Sequence, residues 1–300
     1  MTMLDREKLL AAAASFNTRF NEALAVSTPK YRSIASEYPS DAPIETYNWL
    51  GEVPLMKRWI DERELEKLRA EKYQIENFDW ANGIQVSRDD LRDDRLGLVV
   101  PRIQTLARAG LKRIDSEVFN VLNNAFSAAG GIGFDGQPLC STTHTAAGSG
   151  GAPQSNTSTD PLTDATFEAG IVAMTGIKDE KGEPVEIFPT HLATGPALWP
   201  VARRIVQQTT RANGEENLNR SLVDYVMSPR ITGNKWFLID MSQGVGPIIV
   251  QMRQPPTFRD PNLDGNAEWF FMRKDYRYGA DMTFGVGLGL WQTIRGSTGS

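Results

Sequence analysis

The chain has 300 residues, 40% of them hydrophobic and 23% charged, with a net charge of −5. That composition supplies a sizeable core and excludes a wholly disordered, collagen-like or strongly basic nucleic-acid-wrapping protein. One cysteine, Cys140, and two histidines, His144 and His191, exclude an intrachain disulfide framework and a cysteine-rich zinc module.

Asp5, Arg6, Glu7 and Lys8 stand where a signal peptide would need a basic start and an apolar run. No stretch approaches ~18 uninterrupted apolar residues. A protein made in the cytosol, with no membrane partner, is expected. Residues 3–26 carry Leu9, Leu10, Ala13, Phe16, Phe20 and Leu24 at helical spacing, and Pro29 ends the pattern. Residues 27–48, with Pro29, Pro39 and Pro43, read as an extended arm. Residues 52–70 repeat a helical pattern, with Leu55, Trp59, Ile60, Leu65 and Leu68 among dense charge.

Residues 72–88 change period to two. Tyr73, Ile75, Ile84 and Val86 alternate with polar residues around Asp79-Trp80-Ala81-Asn82-Gly83, and the Asn-Gly pair predicts a β-hairpin turn there. A lone hairpin is marginal in water, so a core or another subunit is expected to cover it. Residues 94–128 give the strongest helical repeat, about 45 Å long at 1.5 Å per residue, with Pro101 beginning or kinking it. The segment 129–161 holds the local excess of Gly, Ser and Thr and predicts a mobile loop. Beyond it come a helix at 162–175 capped by Asp160 or Thr163, a strand at 185–194 and a helix at 198–210. Strands at 222–226, 236–240, 248–252, 269–273 and 276–290 follow, with a loop at 255–265. Helices early and strands late make the fold class α+β.

The motifs point away from catalysis. Gly130–Gly136 follows a helix and lacks the lysine of a phosphate loop. Cys140, Ser141, His144 and Asp135 are the ingredients of a nucleophilic site, but all lie on one loop rather than on separate rigid elements. The acidic residues Asp89, Asp90, Asp93 and Asp94 alternate with Arg88, Arg92 and Arg95. That pattern suits either helix capping or pairing across an interface. Arg203, Arg204 and Arg211 could touch phosphate, though a solvated helix face is the simpler reading.

Several runs together resemble one family. They are Trp49-Leu50-Gly51-Glu52-Val53-Pro54 with Arg58-Trp59; Tyr73-Gln74-Ile75-Glu76-Asn77; Arg88 through Gly97; Phe134-Asp135-Gly136-Gln137-Pro138-Leu139 with His144; Pro189 through Leu198; Trp236 through Asp240; and Pro247 through Gln251. In that order they resemble the Mu-type phage major head subunit (T protein) family, over about residues 35–285. The resemblance implies an HK97-like capsid fold with an N-terminal arm, an E-loop hairpin, a long spine helix, a peripheral (P) domain and an axial (A) domain. The corresponding segments are 1–48 (helix and arm), 49–93 (E-loop region), 94–160 (P domain with spine helix and Gly/Ser-rich loop), 161–255 (mainly A domain) and 256–300 (strands returning to the P domain).

It further implies a capsid protein that self-assembles into pentamers and hexamers of a virion shell around double-stranded DNA. Portal, scaffold and head protease would be its partners during assembly in the host cytoplasm. No catalytic residue, cofactor or metal is expected. Phe78, Trp80, Asn82, Arg88, Asp90, Arg92 and Asp94 are the candidate inter-subunit contacts. The hairpin tip carries no lysine, so a Lys–Asn cross-link of the kind some relatives of this fold make is not expected. An encapsulin-like nanocompartment shell, a tail-tube protein and a hydrolase using Cys140, Ser141 or His144 are the alternatives.

Overall fold

The computed structural model describes residues 6–47, 73–87, 96–145, 153–179, 182–211, 214–260 and 275–300. Helix α1 (Arg6–Val26) forms where the sequence places an apolar stripe. Ala13, Phe16, Phe20 and Ala23, spaced three and four apart, are all buried. They pack on Val99, Ile103, Leu106 and Ala107 of helix α2 (Leu96–Asn123), the expected spine. Phe16 also meets Tyr278 edge-on, with ring centroids 5.2 Å apart.

The segment expected as an extended arm is stitched into the core instead. Tyr31 and Ile34 are fully buried in the largest apolar cluster, and the Tyr31 N–H donates to Asp115 Oδ1 of α2 at 2.8 Å. Strand β1 (Ser36–Pro39) then pairs in parallel with β9 (Ile248–Arg259). Strand β2 (Ile44–Tyr47) pairs antiparallel with β3 (Tyr73–Glu76).

Two larger sheets organise the rest. The first has the order β1-β9-β10-β4, where β4 is Phe78–Ser87 and β10 is Asp275–Leu288. The second has the order β5-β11-β8-β6-β7, from β5 (Thr157–Ser158), β6 (His191–Thr194), β7 (Asp224–Met227), β8 (Trp236–Ile239) and β11 (Ile294–Ser297). Helix α3 (Asp164–Thr175) and helix α4 (Trp199–Val206) contribute Phe167, Met174, Ala202 and Ile205 to a cluster with Trp236 and Leu238 of β8. Thr163 is the cap of α3, its hydroxyl accepting the Thr166 N–H at 3.2 Å. The mixture is the expected α+β class.

The hairpin turn at Asn82-Gly83 is not formed. Strand β4 runs straight through both residues, which sit opposite Ala280 and Gly279 of β10. A two-residue type I′ turn needs positive φ at both positions, and neither Asn82 nor Gly83 has it. Ten consecutive pairings with β10 override the local turn preference. Residues 73–76 instead join a separate two-stranded sheet.

Strand β9 also extends through Pro255 and Pro256, where a loop is expected. The β9–β10 register slips between Asp281 and Thr283, and such irregularities are where a strand tolerates proline. Gly110 of α2 sits on this stretch, and a Cβ there would lie 3.1 Å from Pro256 Cγ, a tight contact that the glycine spares. The expected helix at 52–70 and strand at 269–273 lie outside the described residues.

Candidate interaction surfaces and the buried polar cluster

The described parts of segment 129–161 form no loose loop. The Cys140 N–H donates to the Ala125 carbonyl at 2.8 Å, and His144 and Gln154 exchange backbone bonds at 2.9 and 2.8 Å. His144 and Asn156 are buried, at 1% and 0% exposure. The Asn156 amide nitrogen faces the carbonyls of Leu139, Trp291 and Ile294 at 2.8–3.1 Å, which turns its Oδ1 toward His144 Nε2 at 3.1 Å. That oxygen also accepts the Ser141 N–H at 2.9 Å. His144 Nδ1 faces Asp135 Oδ2 at 2.6 Å, and its ring stacks on Trp291 at 4.3 Å with the planes 2° apart.

This arrangement ties the segment to the C-terminal strand and engages the His144 ring in holding it there. Both ring nitrogens of His144 face oxygens other than a nucleophile's. The Ser141 hydroxyl instead meets Gln137 and Thr143 at 3.3 Å. Cys140 is fully buried, and burial pushes its thiol up to about 12, far from a reactive thiolate. Among the described residues the hydrolase alternative therefore lacks a base on either nucleophile.

Of the candidate inter-subunit residues, Phe78 is 52% exposed and Asn82 is exposed, both on β4. Trp80 is held inside the subunit. Its ring stacks on Phe284 at 5.6 Å on one face, and the Arg113 guanidinium lies 3.9 Å from the ring centroid. Arg113 in turn pairs with Glu117 at 2.5 Å. The Trp80 indole N–H is buried, with no partner among the described residues, at the edge of a cavity of about 300 Å³ lined by Leu106, Gly110, Pro256 and Met282. Arg88, Asp90, Arg92 and Asp94 lie outside the described residues. Of the arginines near α4, Arg203 lies over Trp199 at 5.1 Å, and Arg211 pairs with Glu168 at 3.0 Å.

A feature not anticipated from the sequence lies on α2. Arg102, Arg108 and Lys112 are exposed on one arc of the helix, and their six- and four-residue spacing is the available signal. Among the described residues no carboxylate lies within 4 Å of any of them.

A family model for the Mu-like prophage major head subunit gpT matches residues 9–160, 146–231 and 227–300. The chain belongs to this family of phage major head subunits. It is 28% identical over 282 residues to the Mu-like prophage FluMu major head subunit of Haemophilus influenzae, an alignment covering 94% of this chain and 70% of that one. It is 23% identical over 283 residues to the major capsid protein of Escherichia phage Mu, again covering 94% and 70%. Among solved structures, a chain of the bacteriophage JBD30 procapsid superposes with a TM-score of 0.64 at 25% identity, covering 98% of this chain and 76% of that one. The head subunit thus has the HK97-like capsid fold and is a major capsid protein that assembles into a virion shell. It is a structural subunit and not an enzyme, which accounts for a His144 cluster built to hold chain segments together.

Proposed function

We propose that the head subunit forms the pentamers and hexamers of a closed shell that encloses double-stranded DNA. The observation that carries this reading is the family match, which runs nearly the full length of the chain and not over one module. It also favours the phage head over a nanocompartment shell or a tail tube.

Within the subunit, we assign the P domain to 94–160 and 256–300 and the A domain mainly to 161–255. The apolar cluster around Phe167 and Trp236, drawn entirely from within 161–255, supports an A-domain core, while the cluster around Ile114 and Phe284 also takes in Ala193, Phe237 and Ile248 and so joins the two domains. We assign 1–48 as the N-terminal helix and arm, whose described part packs on the spine, and 49–93 as the E-loop region that reaches a neighbour. Phe78 and Asn82 are exposed and available to such a contact. Trp80 supports it from beneath, and Arg88, Asp90, Arg92 and Asp94 set its register. Portal, scaffold and head protease join during assembly in the host cytoplasm.

Particles recovered from cells making the whole head gene set test this. Shells carrying nuclease-protected double-stranded DNA are expected. Shells filled with a protein cargo and free of DNA would overturn the reading in favour of a nanocompartment.

A further inference from the structure

The cations of α2 are gathered on one side. At 100° per residue, Arg102, Thr105, Arg108, Lys112 and Ser116 fall within one arc of about 120°. That arc is opposite the buried Ile103, Ala107 and Ile114. Arg230, from the connection between β7 and β8, lays its guanidinium along the same arc. Its Nη1 donates to Ser116 Oγ at 2.8 Å and its Nη2 to the Lys112 carbonyl at 3.2 Å. Lys235 Nζ donates to the Asn123 carbonyl at the last turn, at 2.8 Å. Lys30 completes the group, its Nζ donating to the Met227 carbonyl, and both it and Arg230 act electrostatically on Asp115. Asp115 flanks the arc, its Oδ1 already accepting the Tyr31 N–H. From Arg102 to Asn123 the stripe runs about 31 Å at 1.5 Å per residue, close to one turn of duplex DNA at about 34 Å.

We propose that this stripe is a contact surface for the backbone of double-stranded DNA and marks the face of the subunit turned toward the packaged duplex. The inference rests on the reading above that the shell encloses DNA, and it adds which face meets it. Arg102, Arg108 and Lys112 are exposed and, among the described residues, pair with no carboxylate, and the others are fixed at the rim. The arc holds cations and hydroxyls, and the amides at its C-terminal end are engaged within the subunit, Asn123 with the Arg230 carbonyl and the Thr232 N–H and Asn120 with Asn124, so the contact is with phosphate and independent of sequence. Few cations on the arc, in a chain of net charge −5, give weak, salt-sensitive binding, which suits DNA that must be packed tightly and later leave.

The test is fluorescence anisotropy with the purified full-length subunit and a labelled duplex of about 25 base pairs, titrated between about 50 and 200 mM salt. Removing the cation at one phosphate lowers the slope of log affinity against log salt by about one, so Arg102→Ala/Arg108→Ala/Lys112→Ala is expected to lower it by about three. Arg102→Lys/Arg108→Lys should keep the wild-type slope, as should Arg203→Ala/Arg204→Ala on α4. An unchanged slope in the triple alanine variant, with its thermal unfolding unchanged, overturns the proposal. So does a triple variant that no longer forms shells while keeping the slope, because the stripe is then an interface between subunits. Shell formation by the wild-type protein, scored by electron microscopy, reports on the head reading separately from the slope.

Discussion

At His144 both ring nitrogens face oxygen, one on Asp135 and one on Asn156, in a site at 1% exposure. Removing one member of a buried, paired polar group leaves the others desolvated and unmatched. His144→Ala is therefore expected to lower the unfolding free energy by about 3 kcal/mol or more, whereas Ser141→Ala, which removes only long hydroxyl interactions, should cost less than about 1 kcal/mol. Urea unfolding of the unassembled subunit measures both, and equal losses would show that the cluster is not the unit described. His191 behaves differently. Burial holds its imidazole below the usual histidine range, against the pull of Asp224 and Asp240. A group kept neutral by the fold contributes stability above its ordinary value of about 6.5 and loses it as pH falls toward the lower folded value. Wild-type stability should thus fall over that interval more steeply than that of His191→Gln, as equilibrium unfolding at a series of pH values would record.

At the scale of elements, α1 is anchored to the spine by Phe16 and Phe20, which are 2% and 0% exposed. Phe20→Ala is expected to cost about 3–5 kcal/mol and to raise protease sensitivity near residues 20–30; an unchanged midpoint and cleavage pattern would mean that α1 is not part of the core. Both long helices are legible in the sequence because their apolar residues recur three and four apart over many turns, a signal that tertiary packing reinforces. The arm misleads because Tyr31 and Ile34 sit singly in a polar stretch, and two isolated apolar residues give no period. Asn82-Gly83 misleads because a turn preference is local. The strand that overrides it pairs with residues about two hundred positions away, which no window of sequence displays. In the sequence the His144 cluster shows only as a set of residue types; its partner Asn156 lies twelve residues on in the same segment, and Trp291 comes from far along the chain. The candidate charged contacts at 88–94 lie outside the described residues, and the α2 stripe is visible only once its exposed arc is known.

For the molecule as a whole, membership in a family of phage major head subunits describes a protein whose work is done at its surfaces. Exposed Phe78 and Asn82 on β4 and the cationic arc of α2 are surfaces available for that work. Family membership makes the subunit a component of a head; the shell geometry follows from how those surfaces repeat. Cryo-electron microscopy of particles assembled from the full-length subunit with its scaffold and protease is the most direct measurement. Closed shells with this chain as the repeating unit of both pentamers and hexamers are the expected result. Open tubes, or a protein that stays monomeric under the same conditions, would contradict the account.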